Sequence, residues 1–243
     1  LEGVFEGVEA AYYLVHSMAA GPEFEERDRR AARNFERAAS EAGVGRVVYL
    51  GGLGSEGDDL SDHLRSRREV ERILRGGGYE LTTLRAAVVI GAGSVGFDVV
   101  RQIVERLPVL VTPQWVRTPC QPIAVADVVG YLAGVLDDPA TAGETYEVGG
   151  PEVLTYEEMM ERTATILDRR VVVVPVPVLT PTLSTYWVDL VTDAPREVVH
   201  PLIDGLKNPV VADDGPIRER VDVELTPFDD AVRTAVSESA EAR

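Results

Sequence analysis

Apolar positions come in short unbroken runs, and the polar stretches between them carry apolar residues at helical spacing. Ala10–Val15 (AAYYLV) reads as a buried parallel strand that ends in the polar loop His16-Ser17-Met18. Glu23–Ala42 sets Ala31, Ala32, Phe35, Ala38 and Ala39 among charges at helical spacing, and Gly43 stops it. Arg46–Leu50 is a second strand, running into Gly51-Gly52-Leu53-Gly54. Ser61–Arg75 is a second amphipathic helix, with Leu64, Ile73 and Leu74 in its stripe and Gly76-Gly77-Gly78 behind it. Glu80–Ile90 reads as a third strand. Strand, helix, strand, helix, strand predicts right-handed crossovers and a doubly wound parallel α/β sheet. Ligands in such sheets sit at the carboxyl ends of strands, here His16-Ser17, Gly51–Gly54 and the segment after Ile90.

Farther on the pattern shortens. Phe97–Leu107 is helix-like, Pro108–Val111 is a brief apolar piece, and Gln114–Pro122 reads as loop. Ile123–Leu136 reads as a short strand turning into a helix, and Thr145–Val148 as another strand. Thr155-x-x-Glu158 has the form of a capping box at a helix start. Arg170–Pro177 is valine-rich and proline-broken, the signature of an edge strand. A last helix begins near Leu225–Phe228. The sequence shows no internal repeat.

The glycines after the third strand are the most conspicuous candidate chemistry. Gly91-Ala92-Gly93-Ser94-Val95-Gly96 fits G-x-G-x-x-G, between a strand and a helix, as a dinucleotide phosphate cradle would. No Asp or Glu stands about 20 residues on to hold ribose hydroxyls, two βα units precede the motif, and Arg85 would be costly inside a first central strand. These counts weigh against the phosphate-cradle reading.

Composition narrows the partners. The net charge is −17 and the pI near 4.6, which disfavours nucleic acid and anionic membranes. No apolar run is long enough to span a bilayer, so no membrane insertion is expected. Acidity of this size, with Lys207 as the sole lysine, fits a cytoplasmic, halophilic protein as well as a GC-rich genome. Cys120 stands alone, and no His, Asp and Glu spacing suggests a metal site. The sequence opens on Leu1 in mid-pattern, as a fragment or a numbering without the native start would.

Taken together, AYYLVHSM (Ala11–Met18), YLGGLG (Tyr49–Gly54), His63–Arg67 with Glu69, LRAAVVIG (Leu84–Gly91), QPIAVADV (Gln121–Val128) and YEVGGPEVLT (Tyr146–Thr155) resemble the atypical short-chain dehydrogenase/reductase superfamily. The branch resembled holds NmrA-like and nucleoside-diphosphate-sugar epimerase-like NAD(P)-binding proteins, over nearly the whole chain. The resemblance implies a Rossmann-type core (residues 1–92 and 122–149) that lacks its N-terminal phosphate-loop segment. It also implies a smaller C-terminal lobe on the substrate side (residues 93–121 and 150–243). NAD or NADP would be the cofactor, lined by His16, Ser17, Gly51, Gly52, Arg67 and Ala86. Gly91, Ser94, Trp115, Tyr186 and Trp187 would face a small-molecule substrate, and a homodimer is compatible with this reading.

The superfamily's Tyr-x-x-x-Lys dyad cannot be built, because Ile203 stands four residues before Lys207. The matching helix carries His63-x-x-x-Arg67 instead, one turn apart on one face. Arg67 can hold a ribose or phosphate oxygen but stays charged, which leaves His63 as the candidate proton donor. Gly51 and Gly52 replace the usual assisting serine. The implied activity is therefore an NAD(P)-dependent oxidoreductase or epimerase-like enzyme. The alternative is a non-catalytic dinucleotide-binding sensor, or an accessory subunit like that of respiratory complex I.

Overall fold

The computed structural model of the 243-residue chain describes residues 3–17, 23–54, 60–112, 114–175 and 208–241. Its centre is a parallel sheet in the order β1 (Ala10–Tyr13), β2 (Arg46–Gly52), β3 (Glu80–Ala86) and β8 (Thr145–Val148). Helices α1 (Phe24–Glu41) and α2 (Asp62–Leu74) connect the first three strands.

Alternation along the strands divides the core into two layers. On β2, Val47 and Tyr49 join α1 and α2 residues Ala32, Ala39, Val70 and Leu74 in one cluster. Val48, between them, joins Leu84 and Val148 against Val128, Tyr131 and Val135 of α4 (Val125–Asp137). Helices thus cover both faces, as the expected doubly wound arrangement requires. Fully burying aliphatic side chains such as Leu74 or Leu84 contributes roughly 1.5–3 kcal/mol each.

The third strand departs from expectation. Glu80–Ile90 does not run as one strand: β3 ends at Ala86, and Val89–Ile90 (β4) pairs in parallel with Ile123–Ala124 (β7) in a separate two-stranded sheet. Backbone bonds made at the break hold it open, Leu53 N–H to Ala86 O at 2.8 Å and Ile123 N–H to Val88 O at 3.0 Å. The chain therefore leaves the central sheet at the point where the expected site begins.

A third cluster gathers α3 (Val95–Arg106), α5 (Tyr156–Ile166) and a C-terminal helix at Phe228–Glu241 around Phe97, Val104, Met159, Phe228 and Val232. Val109–Thr112 (β5) pairs with Val172–Pro175 (β10), which accounts for the proline-broken stretch, whereas the expected loop before Pro122 holds a 3-10 turn and a short strand, Pro119–Cys120 (β6). The capping box forms: Thr155 Oγ1 accepts from Glu158 N–H at 3.1 Å and Glu158 Oε2 from Thr155 N–H at 2.7 Å. Two buried polar side chains tie the returning C-terminal segment down. Asp127 accepts from Thr226 N–H and Oγ1 at 2.9 and 2.7 Å, and Gln121 donates to Gly150 O at 2.8 Å and accepts from Ala212 N–H at 3.0 Å.

Candidate functional site

The chain turns out of β1, β2 and β3 around a cavity of about 230 Å³. Leu14 and His16 follow β1, Leu50 to Leu53 end β2, and Ala86 to Val89 leave β3. Ser61, His63, Leu64 and Arg67 enter from the start of α2, and Tyr156 and Val210 close the side toward the third cluster.

Local chemistry explains why α2 lies there. Ser61 caps the helix, its hydroxyl accepting from Leu64 N–H at 3.5 Å. The Tyr49 hydroxyl of β2 donates to Arg67 O at 3.2 Å, and Arg67 Nη1 donates to Val15 O at 3.3 Å, fixing the loop that carries His16. Gly52 makes the close packing feasible, because a Cβ there would sit 2.8 Å from Leu64 Cδ2.

Three groups that can be cationic converge on this cavity, and Arg67 depresses both imidazoles. The His63 pKa is pushed down to about 3, chiefly by removal from water and then by Arg67 and His16. The His16 pKa is lowered too, by desolvation first and by Arg67, with Asp28 opposing. At neutral pH Arg67 is the charged member, flanked by two neutral imidazoles and the apolar walls Leu14, Leu53, Val88 and Val89. Burial lifts the Tyr156 pKa well above its ordinary value, and it lifts its hydrogen-bonding neighbour Cys120 to about 11. The cavity can thus hold a largely uncharged ring, accept or donate hydrogen bonds, and pair one anionic or hydroxyl oxygen. Among the described residues that line it there is no carboxylate.

Of the residues expected at the site, His16, Gly51, Gly52, His63, Arg67 and Ala86 line this one cavity. Ser17 follows His16 without belonging to the wall. Gly91 and Ser94 lie outside the lining: Gly91 packs against α4, where a Cβ would meet Val125 Cγ1 at 2.7 Å, and Ser94 Oγ donates to Val89 O at 2.6 Å. With Ser94 N–H bonded to Gly91 O at 3.2 Å and Asp98 in the first turn of α3, this turn is closed on itself and faces an acidic group, which opposes a phosphate. Trp115 lies in the short 3-10 turn Gln114–Arg117. Tyr186 and Trp187 fall outside the described residues. Ser61, Tyr156 and Val210 were not anticipated. Ser61 carried a signal as the residue before an amphipathic stripe, whereas Tyr156 and Val210 reach the cavity from distant segments and carried none. Among the described residues no group of three or more His, Cys, Asp or Glu is placed to hold a metal, and no helix is long and apolar enough to cross a membrane.

Sheet order, helix placement and the position of the cavity define a Rossmann-type α/β protein. Among solved structures, a nucleoside-diphosphate-sugar epimerase from Staphylococcus aureus superposes with a TM-score of 0.71 at 13% identity, over 94% of this chain and 77% of that one. Triphenylmethane reductase from Citrobacter sp., complexed with NADP(H), gives 0.72 at 17% identity, over 95% and 78%. A short-chain dehydrogenase/reductase superfamily protein from Agrobacterium tumefaciens with bound NAD gives 0.65 at 17%, over 97% and 81%. In sequence, the chain is 29% identical over 140 residues to the mitochondrial NADH dehydrogenase [ubiquinone] 1 alpha subcomplex subunit 9 of Arabidopsis thaliana. That match covers 57% of this chain and 35% of the relative, so the chain spans well under half the length of that protein. No protein-family model matches the chain.

Proposed function

We propose that the chain binds NAD or NADP and serves as an NAD(P)-dependent oxidoreductase or epimerase-like protein, with the nicotinamide end in the cavity at the ends of β1, β2 and β3. The observation that carries this reading is the convergence of His16, Gly51, Gly52, His63, Arg67 and Ala86 on that cavity. Pockets for drug-sized ligands run to roughly 300–1,000 Å³, so about 230 Å³ suits part of a dinucleotide rather than all of it. The donor set fits that part: one cation for a ribose or phosphate oxygen, glycine backbone open to close approach, and apolar walls for a planar ring.

When bound, the cofactor supplies the hydride chemistry. The chain's own residues position and shelter it. Arg67, held by Tyr49 and Val15, presents its charge to a ligand oxygen. Leu14, Leu53 and Val88 exclude water, and neutral His63 and His16 orient hydroxyl or amide groups by hydrogen bonding. We place the core in residues 1–92 and 122–149 and the substrate side in residues 93–121 and 150–243. The acidic composition supports a cytoplasmic, salt-adapted setting.

A second reading, a dinucleotide-binding sensor or accessory subunit without turnover, is favoured by the depressed pKa of His63. A group that is neutral at pH 7 is a weak proton donor, and Tyr-x-x-x-Lys is absent. One experiment separates the two. Thermal shifts with NADH and NADPH report binding, and NAD(P)H oxidation against aldehydes and quinones reports turnover. Binding with turnover supports the enzyme; tight binding with no turnover, and no change in His63→Ala, supports the sensor. If neither dinucleotide raises the melting temperature of the intact protein, both readings fail.

A further inference from the structure

Away from the cavity, α2 carries a second feature that the dinucleotide site does not use. Arg65, Arg68, Arg72 and Arg75 recur at spacings of three and four residues along one side of the helix, and Arg85 joins them from β3. Together with Glu71 they line an open groove of about 510 Å³. The chain as a whole has 24 basic against 41 acidic residues, so five arginines around one carboxylate reverse the sign of the surface locally.

Among the described residues, internal pairing leaves this charge in excess. Glu71, whose side chain is 8% exposed, receives Arg85 Nη2 and Nε at 2.8 and 3.1 Å, Arg75 Nη2 at 3.3 Å and Arg68 Nη1 at 3.4 Å. One negative charge is shared by three guanidiniums, and two of these, Arg68 and Arg85, are only 11% and 16% exposed. Arg65 pairs with Asp62 at the rim, and Arg72 is attracted to Glu69 without a hydrogen bond or close ion pair among the described residues. Partly desolvated surplus charge is costly unless a counter-charge meets it.

We propose that this groove is a second binding site, for a polyanionic phosphate compound, a free oligophosphate or a bisphosphate ester. Guanidinium forks pair bidentately with phosphate oxygens, and a concave face lined along one helix suits a short chain of tetrahedral anions better than a flat acidic protein surface. The groove also touches the dinucleotide cavity indirectly, since Arg68 Nη2 donates to Gly54 O at the end of the loop that leaves β2.

Isothermal titration of the full chain with tripolyphosphate, fructose 1,6-bisphosphate, sulfate and an oligoglutamate peptide, at matched ionic strength, tests the proposal. One tripolyphosphate should bind per chain, at least tenfold more tightly than sulfate, and equally in protein saturated with NADH. Arg65→Gln/Arg72→Gln, which spares the Glu71 cluster, should weaken it about tenfold. Glu71→Gln, which removes the internal competitor, should tighten it. Fructose 1,6-bisphosphate matching tripolyphosphate assigns the groove to esters, and tripolyphosphate alone assigns it to free oligophosphate; either supports the site. Tripolyphosphate no tighter than sulfate, affinity unmoved by the double arginine variant, or binding of oligoglutamate alone overturns it.

Discussion

Replacing His63 by glutamine should make the protein less sensitive to acid. Folding holds the His63 pKa at about 3, against an ordinary value near 6.5, through desolvation first and then through Arg67 and His16. At pH 8 the imidazole is neutral in both the folded and unfolded chain and contributes nothing to pH dependence. As pH falls through 6.5 the unfolded chain takes up a proton that the folded chain refuses until about pH 3. Stability is therefore present above pH 6.5 and is lost between 6.5 and 3, at about 1.4 kcal/mol per pH unit. At pH 5 the loss from this one group would approach about 2 kcal/mol; His63 keeps part of its surface at the cavity mouth, so about 1–2 kcal/mol is the working figure. Urea unfolding of wild type and His63→Gln at pH 8 and pH 5 isolates it, because every other titrating group cancels in the double difference. Wild type should lose about 1–2 kcal/mol more than the variant on acidification. Parallel losses within about 0.5 kcal/mol would refute the account of His63 as an imidazole kept neutral by its surroundings. Arg67→Gln, by removing the second cause, should shrink the wild-type difference toward that of the variant.

Gly52→Ala puts a Cβ 2.8 Å from Leu64 Cδ2, which must swing aside; it should cost about 1 kcal/mol or less of stability by urea unfolding while blunting the melting-temperature rise given by NADH or NADPH. Asp127→Ala strands the Thr226 N–H and hydroxyl donors and should cost about 2–3 kcal/mol; a loss no larger than that of an exposed Asp→Ala control such as Asp222→Ala would sink the idea that Asp127 anchors the C-terminal segment. Raising NaCl from 0.1 to 2 M should raise the melting temperature, because screening relieves self-repulsion at a net charge of −17; a falling melting temperature would contradict the salt-adapted reading.

The layered core was legible because each strand of the sheet writes its two faces into alternate residues. Val47 and Tyr49 go one way and Val48 the other, and no other assignment of the Arg46–Leu50 run buries all three. The break after Ala86 was not legible. Leu84 to Ile90 is apolar apart from Arg85, and an apolar run does not record which partner strand it pairs with at each step. Arg85, which looked like a charge in the wrong place, is satisfied by Glu71 on a neighbouring helix, a contact between segments that local pattern cannot see. Tyr156 and Val210 entered the cavity wall by the same route.

Spacing placed His63 and Arg67 on one helical face, but spacing says nothing of the field between them. The one-turn separation that brings Arg67 to the cavity also holds His63 beside a permanent cation, so the two roles expected of this helix work against each other. An oxygen that pairs with Arg67 offsets its charge and weakens its hold on the imidazole, whereas the larger cause, desolvation, remains or deepens as the cavity fills. A ligand can therefore restore only the smaller share of the His63 pKa. On these terms His63 is better suited to accept and donate hydrogen bonds as a neutral ring than to deliver a proton. Turnover at this site should then not draw its proton from His63, and its rate should show no limb that titrates with that histidine near pH 6.5.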